Sequence, residues 1–293
     1  MMGMIRNVTT KQVNIYKIAR TLWKGVGIPR STYGYEVCRV SGTELQRMEV
    51  IQNKVARLGL GANKFVATEA LRGEMAWSTY KDRIYRMKAN YKAKLIHRGP
   101  SSWPGYIYRD QGRSAWRADL RRIERRYNIQ NVYAEENCLI LIKNAVIAKA
   151  QEEWESGIAG KSSLSLYKLK KRPKVEEIYD GTWGSALLFA ARTGSLKTNL
   201  RTRFWNEVGS ICQWCEGDYE ESLNHMFVEC NGHRIEREQL ISGVINKIGL
   251  TGLEKLMEDD QQGLGYLLGF KGEVDLTDLS KTYLKKIFIK RGQ

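Results

Sequence analysis

At 293 residues, with 42% hydrophobic and 10% aromatic side chains, the chain carries enough apolar material for two folded domains and is not a disordered tail. No run approaches the roughly 18 apolar residues of a membrane span, and the start from Met1 to Arg6 leads into no apolar stretch of the signal-peptide kind. A net charge of +16 points to a polyanionic partner; among five cysteines, Cys38 and Cys138 stand alone, which predicts a reducing compartment, nuclear or cytoplasmic.

The charge is unevenly placed. From Met1 to Tyr127 there are 26 Lys+Arg against 9 Asp+Glu, whereas Asn128 to Gln293 holds 22 against 23. A basic half beside a balanced half predicts that nucleic acid meets the first half.

Periodicity predicts a mostly α protein. A first helix is expected from about Lys11 to Val26, capped by Thr9 or Thr10 and stopped by Gly25, Gly27 and Pro29. Ser41-Gly42-Thr43-Glu44 is a capping box that opens a second helix with Leu45, Met48, Gln52, Val55 and Leu58 on one face. A third, capped by Ser78, places Tyr80, Ile84, Met87, Tyr91 and Leu95 in one stripe; its remaining faces carry Lys81, Arg83, Arg86, Lys88, Lys92 and Lys94, interrupted only by Asp82. A solvated face ordinarily mixes both signs, so this helix is a candidate phosphate-binding surface.

Residues 99–114, rich in Pro and Gly, read as a linker. The next helix has Trp116, Leu120, Ile123 and Tyr127 as its apolar stripe and is crowded by Arg117, Arg121, Arg122, Arg125 and Arg126, side chains suited to bidentate phosphate contact. Tyr80, Tyr91 and Trp116 can stack on unpaired bases, although their helical spacing favours core packing. A long helix follows from about Ala134 to Glu155, with its core expected at Ile140, Leu141, Ala145 and Ala148. Lys168 to Lys174 is a basic run of the nuclear-import or nucleic-acid-patch kind. The expected organisation is thus a basic helical region (1–98), a linker (99–114), a helical connector with the basic patch (115–180), a zinc-binding segment (181–235) and C-terminal helices (236–293).

The zinc segment carries the most specific pattern. Cys212, Cys215, His225 and Cys230 form C-x2-C-x9-H-x4-C, a four-ligand set that closes a tetrahedral zinc site and leaves no position for substrate. Replacing His225 by His233 gives C-x2-C-x14-C-x2-H, also sterically reasonable. The apolar Met226-Phe227-Val228 beside His225, against the turn-like Asn231-Gly232, favours the first set. Three thiols and an imidazole so close in sequence argue against cysteines that merely pack. The segment is acidic, with Glu216, Asp218, Glu220, Glu221 and Glu229.

Three blocks together resemble the C-terminal part of a non-LTR (LINE-type) retrotransposon reverse transcriptase. One comprises Leu22-Trp23-Lys24 to Pro29, Tyr33-Gly34-Tyr35-Glu36, Leu45, Glu49 to Asn53, Arg57, Leu60-Gly61 and Ala70-Leu71-Arg72-Gly73-Glu74, similar to the thumb and the segment after it. A second is Arg192-Thr193-Gly194-Ser195-Leu196, similar to an Arg-x-Gly turn upstream of the family's zinc motif. The third is Cys212, Cys215, Glu221, His225 and Cys230. The resemblance implies a thumb-like basic bundle, RNA or DNA as partner alongside the rest of a reverse transcriptase polyprotein, structural Zn2+, and His225 rather than His233 as ligand. Two departures limit it. Retroviral nucleocapsid knuckles have a shorter middle gap, so their base recognition does not carry over, and the palm with its catalytic aspartates is missing. Asp259-Asp260 lies among polar helix-end residues, unlike a two-metal site between apolar strands. The expectation is therefore a non-catalytic fragment that grips template RNA or target DNA; the rival is a zinc-stabilised protein-interaction module without nucleic-acid binding.

Overall fold

The structure, a computed structural model, describes residues 13–99, 101–110, 114–204, 207 and 209–292. It is mostly helical, and among the described residues there is no strand beyond one isolated bridge. No described helix is long and apolar enough to cross a membrane. The helices in chain order are α1 (Ile15–Leu22), α2 (Ile28–Thr32), α3 (Gly42–Leu60), α4 (Thr68–Met75), α5 (Tyr80–His97), α6 (Trp103–Asp110), α7 (Ala115–Tyr127), α8 (Cys138–Ala159), α9 (Trp183–Arg192), α10 (Asn199–Thr202), α11 (Arg234–Met257), α12 (Asp260–Leu267) and α13 (Thr277–Lys290).

They form two compact units that interleave along the chain. Unit one joins Thr21–Val55 and Ala76–Gly157; unit two joins residues 13–20, Ala56–Met75 and residues 158–292. The stretch expected to be a linker over 99–114 contains α6 and lies inside unit one. By sequence, unit one carries 21 Lys+Arg against 12 Asp+Glu and unit two 25 against 20. Unit one is the more basic, but by less than the linear division at Tyr127 suggests, because acids such as Glu152 and Glu153 of α8 belong to it.

Several local readings shift. The expected N-cap at Thr9 or Thr10 lies outside the described residues, and Gly25, Gly27 and Pro29 do not stop the first helix. The chain widens there into a π-type turn (Trp23–Gly27), and Pro29 falls in the first turn of α2, where a missing N–H costs least. The capping box forms as expected: the Ser41 N–H donates to Glu44 Oε2 at 2.8 Å and the Glu44 N–H to Ser41 Oγ at 3.1 Å. Thr79, not Ser78, caps α5, accepting from the Asp82 N–H at 3.0 Å. In the first half of α8 the buried residues are Cys138, Ile142 and Val146; Ile140 and Ala148, expected in the core, are exposed. Those three pack with Ala89, Ala93, Ile123, Tyr127, Ile129 and Tyr133 as the core of unit one.

Unit two packs α9, α11, α12 and α13 around Leu188, Phe227, Leu268, Tyr283 and Leu284. Beside that core lies a buried ionic network. Arg192, last residue of α9, reaches Glu74 at the end of α4 (3.1 Å), and Lys170 joins Glu74 at 3.6 Å and pairs with Glu176. Tyr179 donates its hydroxyl to Glu74 Oε2 at 3.0 Å, and the Arg192 guanidinium lies 4.1 Å over the Phe270 ring. Glu74 and Arg192 come from two of the sequence blocks that carry the family resemblance. Lys170, inside the basic run expected to face a partner, is instead buried here. At Gly194, φ is +60° and a Cβ would collide with the Ser163 carbonyl, so the turn after Arg192 admits only glycine without a shift.

Candidate metal centre

Between Ser210 and His233 the chain forms no long helix, and a short clasp organises its first half. The Cys212 N–H donates to the Tyr219 carbonyl and the Glu221 N–H to the Ser210 carbonyl, both at 2.8 Å, around an antiparallel bridge of Ile211 with Glu220. The clasp throws Cys212 and Cys215 into a tight loop. Beyond it, a wide helical turn spans His225–Glu229 and gives way to extended backbone at Cys230 (φ −60°, ψ 113°). On an ideal helix, side chains five residues apart point about 140° apart. The wide turn and the extended Cys230 remove that divergence.

The result is a cluster in which the ligand atoms of Cys212, Cys215, His225 and Cys230 all lie within 4.8 Å of one another. Cys212 Sγ stands 3.7 Å from Cys230 Sγ, and Cys215 Sγ stands 3.4 Å from His225 Nε2. Three of the four are buried and Cys215 is half-buried. Burial, then the neighbouring Cys212, pushes the Cys230 thiol up to about 12, and burial pushes Cys215 up as well. Such a set becomes thiolate only when a cation stabilises it. The donors therefore fit a metal ion, and their number fits a closed site.

The surroundings orient these donors. His225 Nδ1 is 3.2 Å from Glu229 Oε2, so the carboxylate accepts the Nδ1–H and the Nε2 lone pair faces the thiols. Tyr219 stacks on the imidazole at 5.5 Å and 18°. The Trp214 N–H donates to Cys212 Sγ (3.4 Å), and Arg237 donates to the Cys230 carbonyl (2.8 Å). Glu221, fully buried, accepts the Asn199 N–H at 2.5 Å and pairs with Arg291 at 3.1 Å, which ties the clasp to α10 and to the end of α13. Gly232 packs so closely on the clasp that a Cβ would collide with the Trp214 carbonyl.

His233 lies outside the cluster. It is fully buried against Trp214 (5.8 Å), neither ring nitrogen has a hydrogen-bond partner, and burial, aided by Lys290, holds its pKa down to about 4. It is a neutral packing residue. Sequence reasoning did not single out Glu229 as the orienting carboxylate, nor Tyr219, Arg237 and Arg291. Only Glu229 gave a local signal, standing four residues after His225 at helical spacing.

The expected nucleic-acid residues, all in unit one, divide into two groups. Lys88 is fully buried and pairs with Asp119 at 3.2 Å; Lys92 pairs with Glu124 and lies 4.0 Å over the Tyr133 ring. Arg83 donates to Gln52 Oε1 (3.2 Å) and to the Ser78 carbonyl (3.1 Å), and burial lowers its pKa. Arg117 donates to the Tyr108 carbonyl, and Arg126 grips both Glu153 oxygens at 2.5 and 2.7 Å. The apparent shortage of acids on α5 is thus met by carboxylates from α7, and that on α7 by Glu153 of α8. Arg121, Arg122 and Arg125 remain exposed, and among the described residues only Arg122 of the three touches a carboxylate, Asp119 at 3.4 Å; Lys81 and Arg86 are half-buried. Asp259 caps α12 by accepting the Gln262 N–H at 2.8 Å, while Asp260 accepts from Asn224 at 2.9 Å. Comparison of the chain with protein-family models, curated proteins and solved structures finds no match.

Proposed function

We propose that this protein binds nucleic acid without acting on it, that zinc occupies the Cys212, Cys215, His225 and Cys230 cluster, and that the chain is related to the post-palm region of LINE-type reverse transcriptases. It grips template RNA or target DNA in the nucleus or cytoplasm. Zinc is supported by distance. A tetrahedral ion with bonds of about 2.3 Å to sulfur and 2.0–2.1 Å to nitrogen has ligand–ligand edges of about 3.8 Å between sulfurs and 3.6 Å from sulfur to nitrogen. The separations of 3.7 and 3.4 Å match those edges. The family reading is supported by the direct pairing of Glu74 with Arg192, which joins the 70–74 end of the first resembling block to the second block within unit two.

The nucleic-acid reading rests on one observation, the outward row of Arg121, Arg122 and Arg125 on α7. The heads of Lys88, Lys92 and Arg126 are held by carboxylate partners, whereas this row presents guanidinium groups to solvent, Arg122 doing so beside Asp119. The test uses the full chain, because a cut after Tyr127 would separate Ile129, Tyr133, Ile142 and Val146 from the core they share with α5 and α7. Replacing all three arginines by Gln should weaken single-stranded RNA binding and flatten the slope of log affinity against log salt by about 0.7 per lost contact. An unchanged slope would leave the protein-interaction module as the better reading.

A further inference from the structure

Tyr91 and Trp116, whose spacing places them in the core, instead share with Tyr108 the wall of a cavity of about 620 Å³ in unit one. That volume falls within the ~300–1,000 Å³ usual for small-ligand sites. Trp116 is the centre of the wall: Tyr91 meets it at 6.1 Å and 80°, and Tyr108 at 6.0 Å and 89°. All three rings are only half-buried. Tyr80 and Tyr127, on the same helices as Tyr91 and Trp116, are closed off at 0% and 4% exposure. Buried Leu95 and exposed Arg39 also line the cavity.

The wall is held in place from outside. Trp116 Nε1–H donates to the Glu36 carbonyl at 2.9 Å, and the Arg117 guanidinium lies 4.7 Å over the Tyr108 ring. A guest therefore meets side chains already ordered, which reduces the entropic cost of binding. We propose that this cavity accepts one unpaired nucleobase of a single strand whose phosphates run over the cationic surface of unit one. This rests on the nucleic-acid reading above and adds a base-holding subsite to it. An aromatic heterocycle suits a wall of three rings without base-specific hydrogen bonds, because every base has a π-face. The Arg39 guanidinium suits an adjoining phosphate. An aliphatic guest would leave that charge unmatched.

The experiment compares binding of the full chain to a short single-stranded oligonucleotide with binding to an abasic backbone of the same length, which keeps the phosphates and removes the bases. The expected result is a loss of about tenfold for the abasic strand. Trp116→Leu and Tyr108→Leu should each weaken the base-bearing strand by a similar factor, leave the abasic strand unchanged and keep the salt slope of the wild type, since stacking releases no counterions. As a readout that needs no variant, an iodouracil-substituted strand should photo-crosslink to wild-type protein at Tyr91, Tyr108 or Trp116. Equal affinity for both strands, or crosslinks confined to other segments, overturns the subsite while leaving phosphate binding intact. Failure of wild-type protein to bind either strand overturns both readings.

Discussion

The Cys212–Cys230 cluster and the Glu74–Arg192 network both remove ionisable groups from water within unit two, yet they balance that cost differently. The network is self-sufficient: Glu74 and Glu176 face Arg192 and Lys170, and tyrosine hydroxyls take up further lone pairs. Burial alone would raise the pKa of Glu74, but Arg192, then Lys170, outweigh it, and the carboxyl titrates below its ordinary range. In the cluster three thiols and an imidazole converge, and burial drives the Cys230 thiol upward. One centre is complete once the chain has folded, whereas in the other a bound cation would supply the missing charge.

Metal removal should therefore separate the two. Structural zinc contributes roughly 10–16 kcal/mol in small peptides, and an embedded site should show a smaller but still dominant local effect. Chelation, or His225→Ala, should abolish the one metal ion expected per chain. Hydrogen exchange should then accelerate across residues 210–233, while amides near Glu74 and Arg192 keep their protection. Equal loss of protection at both places would mean that the centres fold as one.

The network breaks by a different route. Arg192→Met leaves the Glu74 carboxylate buried beside a single cation, a defect of about 3–5 kcal/mol for a broken buried pair. Adding Glu74→Leu should restore much of the loss, because a buried pair exchanged for apolar groups is often near neutral. Denaturant unfolding measures both, and metal content should not change in either variant. The same pair sets an acid limb. With a folded pKa below the unfolded value of about 4.3, Glu74 contributes its full stability above that value and loses it as pH falls through the lower folded one. The difference between wild-type and Glu74→Gln stability should accordingly shrink with acidification below about pH 4. A difference that stays constant with pH would rule out the charged form of Glu74.

What the sequence disclosed follows from the same contrast. The capping box of Ser41 with Glu44 and the C-x2-C pair act over a few residues, so spacing alone reveals them. Thr79 displaced Ser78 as cap by one position, because both residues satisfy the local pattern and only the turn geometry decides. Long-range compensation left no such trace. Lys88, Lys92 and Arg126 look like one cationic field when each helix is read alone, but their acids arrive from positions 27 to 32 residues away. Arg192 and Lys170 read as a turn residue and part of a basic run, yet both are buried against Glu74. The interleaving of the two units was hidden for the same reason, since composition along the chain does not report which segments return to a shared core.

His233 is the sharpest probe of the contrast and carries the smallest expected effect. Unlike Glu74 and His225, it is buried in unit two with neither ring nitrogen hydrogen-bonded, so neither way of satisfying a buried polar group applies to it. A desolvated, unpaired polar group costs stability, typically 1–3 kcal/mol, whereas an apolar replacement of similar shape removes that cost without breaking a side-chain bond. His233→Leu should therefore keep the wild-type metal stoichiometry and change unfolding stability by no more than about 1 kcal/mol, in the stabilising direction; some contact with Trp214 is lost, which limits the gain. His225→Leu, a chemically identical change eight residues earlier, should lose the metal. Metal analysis on the two variants side by side decides the ligand set. Metal loss from His233→Leu with retention in His225→Leu would move the fourth ligand to His233. Destabilisation of His233→Leu by more than about 2 kcal/mol, with metal retained, would mean that the imidazole holds a polar partner and that the clasp depends on it.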